Sequence, residues 1–199
     1  DLQQLHVWNH EWINNDEWRR GFEDIKKSGK VRFVGVSIND HQPDSALELI
    51  ETGLIDTVQV IYNVFDQSPE RNLFPLCLKR NIGVLARVPL DEGSLTGSIT
   101  TETTFPKGDF REHYFRGDRK AEVVARIAEL KKDVAGLNES LAETALRFCL
   151  SHPAVSAVIP GMRKVRNAES NCRVSGRGPL PEDVLAILKR HAWERNFYN

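Results

Sequence analysis

The strongest chemical signal is a basic turn, Pro160-Gly161-Met162-Arg163-Lys164, which follows a short apolar run and leads into a helical pattern carrying Arg166. Backbone amides freed at a helix start, with cationic side chains beside them, form an anion site. A phosphate group is the functional reading; a solvated basic face is the competing one, and on residue types alone the two are evenly matched. Other polar residues also stand at the ends of apolar runs: His6, then Ser37 and Asn39, then Gln59, Tyr62 and Asn63, then Arg87. A lone histidine at a strand end is ordinarily a hydrogen-bonded core residue. An arginine in a strand is costly unless a carboxylate or a ligand meets it.

The elements that position these residues alternate regularly. The patterns predict strands over 2–8, 31–37, 57–62, 83–87 and 155–159, with helices over 17–28, 43–52, 68–81, 118–135, 140–152, 164–172 and 181–193. The strands are short, β-branched and without clean alternation, as in a parallel sheet buried on both faces. Repeated strand–helix units require parallel strands joined by right-handed crossovers. Residues 90–117 form a long loop rich in glycine, serine and threonine. Ser140-Leu141-Ala142-Glu143 has the spacing of a capping box.

The fold class is α/β. Five units fall short of the eight of a closed (β/α)8 TIM barrel, so the pattern reads as a partial barrel of about five units plus a C-terminal helix. An open doubly wound sheet is the rival, but no GxGxxG follows any strand. Residues 1–199 read as the C-terminal portion of one barrel domain: the chain begins with Asp1 rather than Met, and a strand starts almost at once.

Composition narrows the task. With 27 basic and 28 acidic residues the net charge is −1, which argues against nucleic acid or a membrane surface as the main partner. No apolar run is long enough to span a bilayer. Cys77, Cys149 and Cys172 share no CxxC spacing, so no metal site is expected; buried free thiols at Cys77 and Cys149 fit a reducing compartment, hence a cytoplasmic location.

In order, these residues resemble the aldo-keto reductase family. The resemblance runs through Leu5-His6, Gly29-Lys30-Val31-Arg32 to Gly35-Val36-Ser37, Val58-Gln59 with Tyr62-Asn63, and Val88-Pro89-Leu90 with Gly93 and Thr96-Gly97. It continues through Val158-Ile159-Pro160-Gly161-Met162-Arg163 and Glu169-Ser170-Asn171. By position these would be strands four to eight of that barrel.

The resemblance implies hydride transfer between NADPH and an aldehyde or ketone, a small-molecule carbonyl substrate. The family's acid Tyr, its Lys and its Asp would precede Asp1; Tyr62, Tyr114 and Tyr198 do not match the acid's motif. His6 takes the place of the histidine that orients the carbonyl. Ser37, Asn39 and Gln59 are implied to hold the nicotinamide carboxamide, although Ile38 separates a serine and asparagine that are adjacent in the family.

Arg87 stands where many members stack an aromatic on the nicotinamide ring. Pro89, Leu90, Gly93, Ser94 and Leu95 correspond to the loop that clamps the pyrophosphate; the acidic Asp91 and Glu92 are odd beside phosphates and are expected to point outward. Ile159, Gly161 and Met162 form the turn, Arg163 and Lys164 are implied to take a 2′-phosphate, and Asn171 the adenine. Trp8, Trp12, Phe110, Tyr114 and Phe115 are weaker candidates for a substrate pocket. The implied cofactor is NADP(H). The alternative is a barrel that binds the cofactor without catalysis, as a sensor or partner subunit. A lyase or isomerase acting on a phosphorylated substrate is a third reading. The 199 residues alone are expected to be inactive.

Overall fold

The computed structural model describes residues 1–199. Five strands form one sheet in the order of the chain: β1 (Leu2–Leu5), β2 (Phe33–Ser37), β3 (Thr57–Ile61), β4 (Gly83–Arg87) and β5 (Val155–Val158). β1 to β4 pair in parallel. The helices are α1 (Asp16–Lys27), α2 (Leu47–Glu51), α3 (Leu73–Arg80), α4 (Arg111–Tyr114), α5 (Arg119–Asp133), α6 (Leu141–Ser151), α7 (Val165–Val174) and α8 (Glu182–Lys189). The α/β class and the parallel sheet agree with the sequence pattern.

The chain forms two compact units. The first comprises Asp1–Ile61, Ser68–Arg87 and Pro153–Ala157; the second comprises Tyr62–Gln67, Val88–His152 and Val158–Asn199.

In the first unit, Val34, Val36, Val58, Val60, Val84 and Ala86 are buried along β2 to β4. Gly35 lets β2 approach β3. It pairs with Thr57, and a Cβ added there would fall 2.1 Å from the Thr57 hydroxyl and 2.5 Å from the Thr57 carbonyl oxygen. The space left open admits Gln4, whose Nε2 donates to Thr57 Oγ1 at 3.4 Å.

β1 ends at Leu5, not at residue 8. Asn9 caps a 3-10 turn over His10–Asn14, its side chain accepting from the Glu11 amide at 3.1 Å, and this local bond competes with an extended backbone. Trp8 is then buried, donating its Nε1 to the Ser45 carbonyl.

In the second unit, α5 buries Val123, Ile127 and Leu130. The expected capping box is formed at α6: the Glu143 amide donates to Ser140 Oγ and the Ser140 amide to the Glu143 carboxylate. Those bonds from Ser140 hold the Glu143 carboxyl below the usual glutamate range. Glu143→Ala is expected to cost about 1 kcal/mol in urea unfolding at neutral pH. A depressed folded-state pKa contributes stability above the unfolded value and loses it as pH falls through the folded one, so the gap to wild type should close in acid.

α8 ends at Lys189, short of the expected residue 193. Trp193 instead donates its amide to the Phe65 carbonyl at 2.8 Å and sets its ring edge-on to Phe65. The expected buried thiols are found: Cys77 lies on α3, where burial pushes it up to about 12, and Cys149 on α6 donates to the Tyr62 carbonyl. No helix is long and apolar enough to cross a membrane.

Candidate functional site

In the first unit Ser37 and Arg87 are the last residues of β2 and β4, Asn39 follows β2, and Gln59, in the middle of β3, pairs with Ser37. Ser37 is buried, and Gln59 Nε2 donates to its hydroxyl at 3.3 Å. The β2–β3 ladder runs one step beyond Ser37, with the Ile38 amide donating to the Gln59 carbonyl, so Ile38 faces the core at 1 % exposure. Asn39 has work of its own: its Nδ2 donates to the Trp8 carbonyl at 2.8 Å, tying the end of β2 to the segment after β1.

Arg87 meets the carboxylate that a structural arginine requires. Its Nη2 donates to Asp40 Oδ1 at 2.5 Å and to the Ile38 carbonyl at 3.2 Å. Its Nε is buried without a partner. The guanidinium is therefore fixed in place rather than mobile, and Asp40 is a residue that sequence reading did not single out. His6 follows β1 on the exposed surface, and Trp12 is 38 % exposed nearby in sequence.

The second unit holds the loop after β4. Its backbone is left-handed at Val88 (φ 54°), Asp91 (49°), Glu92 (54°), Gly93 (103°) and Gly97 (69°). For a β-branched residue such as Val88 that conformation is strained. Asn63 holds it: Nδ2 donates to the Val88 carbonyl at 3.0 Å, while Oδ1 accepts from the Phe65 and Asp66 amides.

Asp91 and Glu92 do not point outward, as their charge suggested. Asp91 is 3 % exposed, and its carboxylate accepts from Arg195 Nη2 at 2.5 Å and from the Tyr114 hydroxyl at 3.3 Å. Glu92 accepts from the Tyr198 hydroxyl at 2.6 Å. An arginine 104 residues away in sequence neutralises the Asp91 carboxylate. Tyr114 and Phe115 are core residues, and burial followed by the Asp91 charge pushes the Tyr114 phenol above its usual range.

Within the same turn, Pro89, Ser94 and Leu95 are buried, and Leu90 and Gly93 are half-buried. The Ser94 hydroxyl is fully buried and has no hydrogen-bond partner. A buried hydroxyl left without a partner is unfavourable, and a ligand oxygen is one way to satisfy it.

After β5, Ile159, Gly161, Met162, Arg163 and Lys164 are exposed, and Pro160 half-buried. α7 starts without a side-chain cap at Lys164, so the amides of its first turn face no capping group. Asn171 Nδ2 donates to the Gly161 carbonyl at 3.3 Å, folding the turn back onto α7. Arg163 also acts on the long loop: Asp109 is held down to about 2, mainly by hydrogen bonds from Arg111, with the Arg163 charge contributing.

Comparisons with known proteins agree with the fold. The profile of the Aldo/keto reductase family matches residues 1–192. The oxidoreductase YqkF of Bacillus subtilis is 28% identical over 96% of this chain, and the aldo-keto reductase YhdN of the same organism is 27% identical over 94%. Among solved structures, a glycerol dehydrogenase from Gluconobacter oxydans is 29% identical with a TM-score of 0.77, covering 98% of this chain and 60% of that one. An aldo-keto reductase from Bacillus halodurans, at 24% identity and TM-score 0.74, shares the fold over all of this chain and 62% of its own.

This chain spans 60% of the length of YqkF and 56% of that of YhdN. The matched span takes in every strand and helix described above, and on that ground the chain belongs to the Aldo/keto reductase family.

Proposed function

We propose that the chain contributes the cofactor-binding part of an NADP-dependent oxidoreductase acting on an aldehyde or ketone, its strands corresponding to strands four to eight of an eight-stranded barrel. The observation that carries the reading is the buried, unpartnered hydroxyl of Ser94, set in a loop of left-handed backbone at the position the family uses for the pyrophosphate. A phosphate oxygen is an acceptor for that hydroxyl, and the groups present fit a nucleotide. In the second unit, Leu90, Gly93, Ser94 and Leu95 would hold the pyrophosphate. Arg163 and Lys164, both exposed and beside an uncapped helix start, would hold a 2′-phosphate. In the first unit, Ser37 and Gln59 are assigned to the nicotinamide carboxamide, and the Arg87 guanidinium, immobilised by Asp40, to the nicotinamide ring.

The bound nicotinamide supplies the hydride. His6 is assigned to orient the carbonyl, its exposed ring offering a donor where negative charge develops on oxygen. Asn39 is assigned to the nicotinamide carboxamide and Asn171 to the adenine; the side-chain nitrogen of each donates one hydrogen to a backbone carbonyl, and the second hydrogen and the Oδ1 are available to the cofactor.

Named relatives differ in cofactor. One from Schizosaccharomyces pombe carries NADP(+) in its name, while a methylglyoxal reductase of Escherichia coli is NADH-specific. The basic turn favours NADP here. Titrating tryptophan fluorescence with NADPH and NADH tests this. NADPH is expected to bind at least about tenfold more tightly, and the double variant Arg163→Ala/Lys164→Ala to lose that preference. Equal affinities in the wild type would overturn the assignment to NADP, and no response to either nucleotide would overturn the oxidoreductase reading.

A further inference from the structure

We infer that Arg195 is a positioning residue for the nucleotide loop, acting through Asp91; this rests on the reading that residues 90–95 bind the pyrophosphate. The loop carries non-glycine residues in left-handed backbone at Val88, Asp91 and Glu92, a conformation that persists only where surrounding contacts over-determine it. Asn63 secures the start of the loop at the Val88 carbonyl. The next fixed point is the Asp91 carboxylate. Its two oxygens are held separately, one by Arg195 Nη2 and the other by the Tyr114 hydroxyl.

Arg195 is itself immobile. Its guanidinium lies 4.1 Å from the Trp193 ring centroid, 4.8 Å from that of Phe197 and 5.3 Å from that of Phe65. The side chains of Arg195 and Asp91 are 8% and 4% exposed, so no water competes strongly for their bond. Tyr198 repeats the arrangement one residue on, donating to Glu92. The segment Trp193–Tyr198 therefore grips consecutive residues of the loop, immediately before Gly93 and Ser94. Without the ion pair the strained backbone at 91–93 relaxes, and Ser94 leaves the position where its hydroxyl meets a ligand. Arg195 approaches no ligand atom in this scheme; its effect passes entirely through the loop.

The test compares two ligands by titration calorimetry on the purified protein. NADPH needs the loop for its pyrophosphate. Adenosine 2′,5′-bisphosphate keeps the adenine and the 2′-phosphate but has no pyrophosphate bridge. The variants are Arg195→Met and the double variant Asp91→Asn/Arg195→Met, which leaves no buried unpaired charge and retains a residue tolerant of left-handed backbone. Both are expected to weaken NADPH about tenfold or more, a coupling of the size one positioning contact transmits. The bisphosphate should change by no more than about twofold, as for an independent site.

Arg147→Met serves as the control, because Arg147 is paired with Glu139 and with the Gly178 and Pro179 carbonyls rather than with the loop. An equal loss of both ligands, unchanged NADPH binding in the double variant, or an equal loss in Arg147→Met would each overturn the role of Arg195 while leaving the nucleotide reading intact. If the wild type binds neither ligand, the nucleotide reading fails and the inference fails with it.

Discussion

Arg195→Ala is expected to lower the unfolding free energy by about 3–5 kcal/mol, the cost of leaving one member of a buried ion pair without its partner. The carboxylate left behind is that of Asp91, 3 % exposed, and its remaining donor is the Tyr114 hydroxyl at 3.3 Å. That phenol is held above its usual range, so it stays protonated and contributes a single hydrogen bond but no charge. The substitution also removes the guanidinium from among Phe65, Trp193 and Phe197, adding lost packing to lost charge.

Pairing Arg195→Ala with Asp91→Asn removes the uncompensated charge, keeps a residue tolerant of the left-handed backbone at φ 49°, and should recover more than half of the loss. Urea unfolding monitored by circular dichroism measures both. If the single variant costs less than about 1 kcal/mol, the pair behaves as a surface salt bridge and the burial argument is wrong.

Gly35→Ala is the second large effect, expected to destabilise by about 3 kcal/mol, the upper end of ordinary overpacking. The obstacle is not only the Thr57 hydroxyl at 2.1 Å, which a rotamer change removes, but the Thr57 carbonyl oxygen at 2.5 Å, which belongs to the β3 backbone. Relief requires moving β2 away from β3, and the two are held in register by Gly35–Thr57, Val36–Val58 and Ser37–Gln59. Because Ser37 and Gln59 are proposed nicotinamide contacts, the same movement disturbs that end of the site. Gly35→Ala/Thr57→Ala should recover little of the stability. A thermal midpoint restored to wild type in that double variant would show that the hydroxyl alone was the obstacle.

Local chemistry made much of the fold readable in advance. The five strands were located because β-branched apolar runs mark buried parallel strands, and the capping box at Ser140 and Glu143 because its two bonds join residues three apart. The polar residues at strand ends were visible for the same reason: in a parallel sheet, the position where an apolar run stops is also the edge where a site forms. The element ends differ where a distant contact or a competing local cap overrides the apolar pattern. α8 stops early because Trp193 finds Phe65, and the β1 strand stops at Leu5 because an Asn9-capped turn and the burial of Trp8 take over.

The site shows the same division. Residue type alone marked Arg163 and Lys164, because an exposed cation beside a helix start needs no partner from elsewhere in the chain. It marked Arg87 as a problem awaiting a carboxylate, but not Asp40 as the answer. It made Asp91 and Glu92 look misplaced in the loop that the family resemblance assigns to the pyrophosphate, since nothing nearby in sequence neutralises them.

The sequence by itself determined the order of the elements, the family and the positions where polar groups gather, because periodicity, capping and strand-end chemistry act over a few residues. Only the tertiary structure decided which charges are neutralised and by what. Arg195 lies 104 residues from Asp91, and the energy of a buried pair depends on distance and desolvation, neither of which is written in the spacing along the chain.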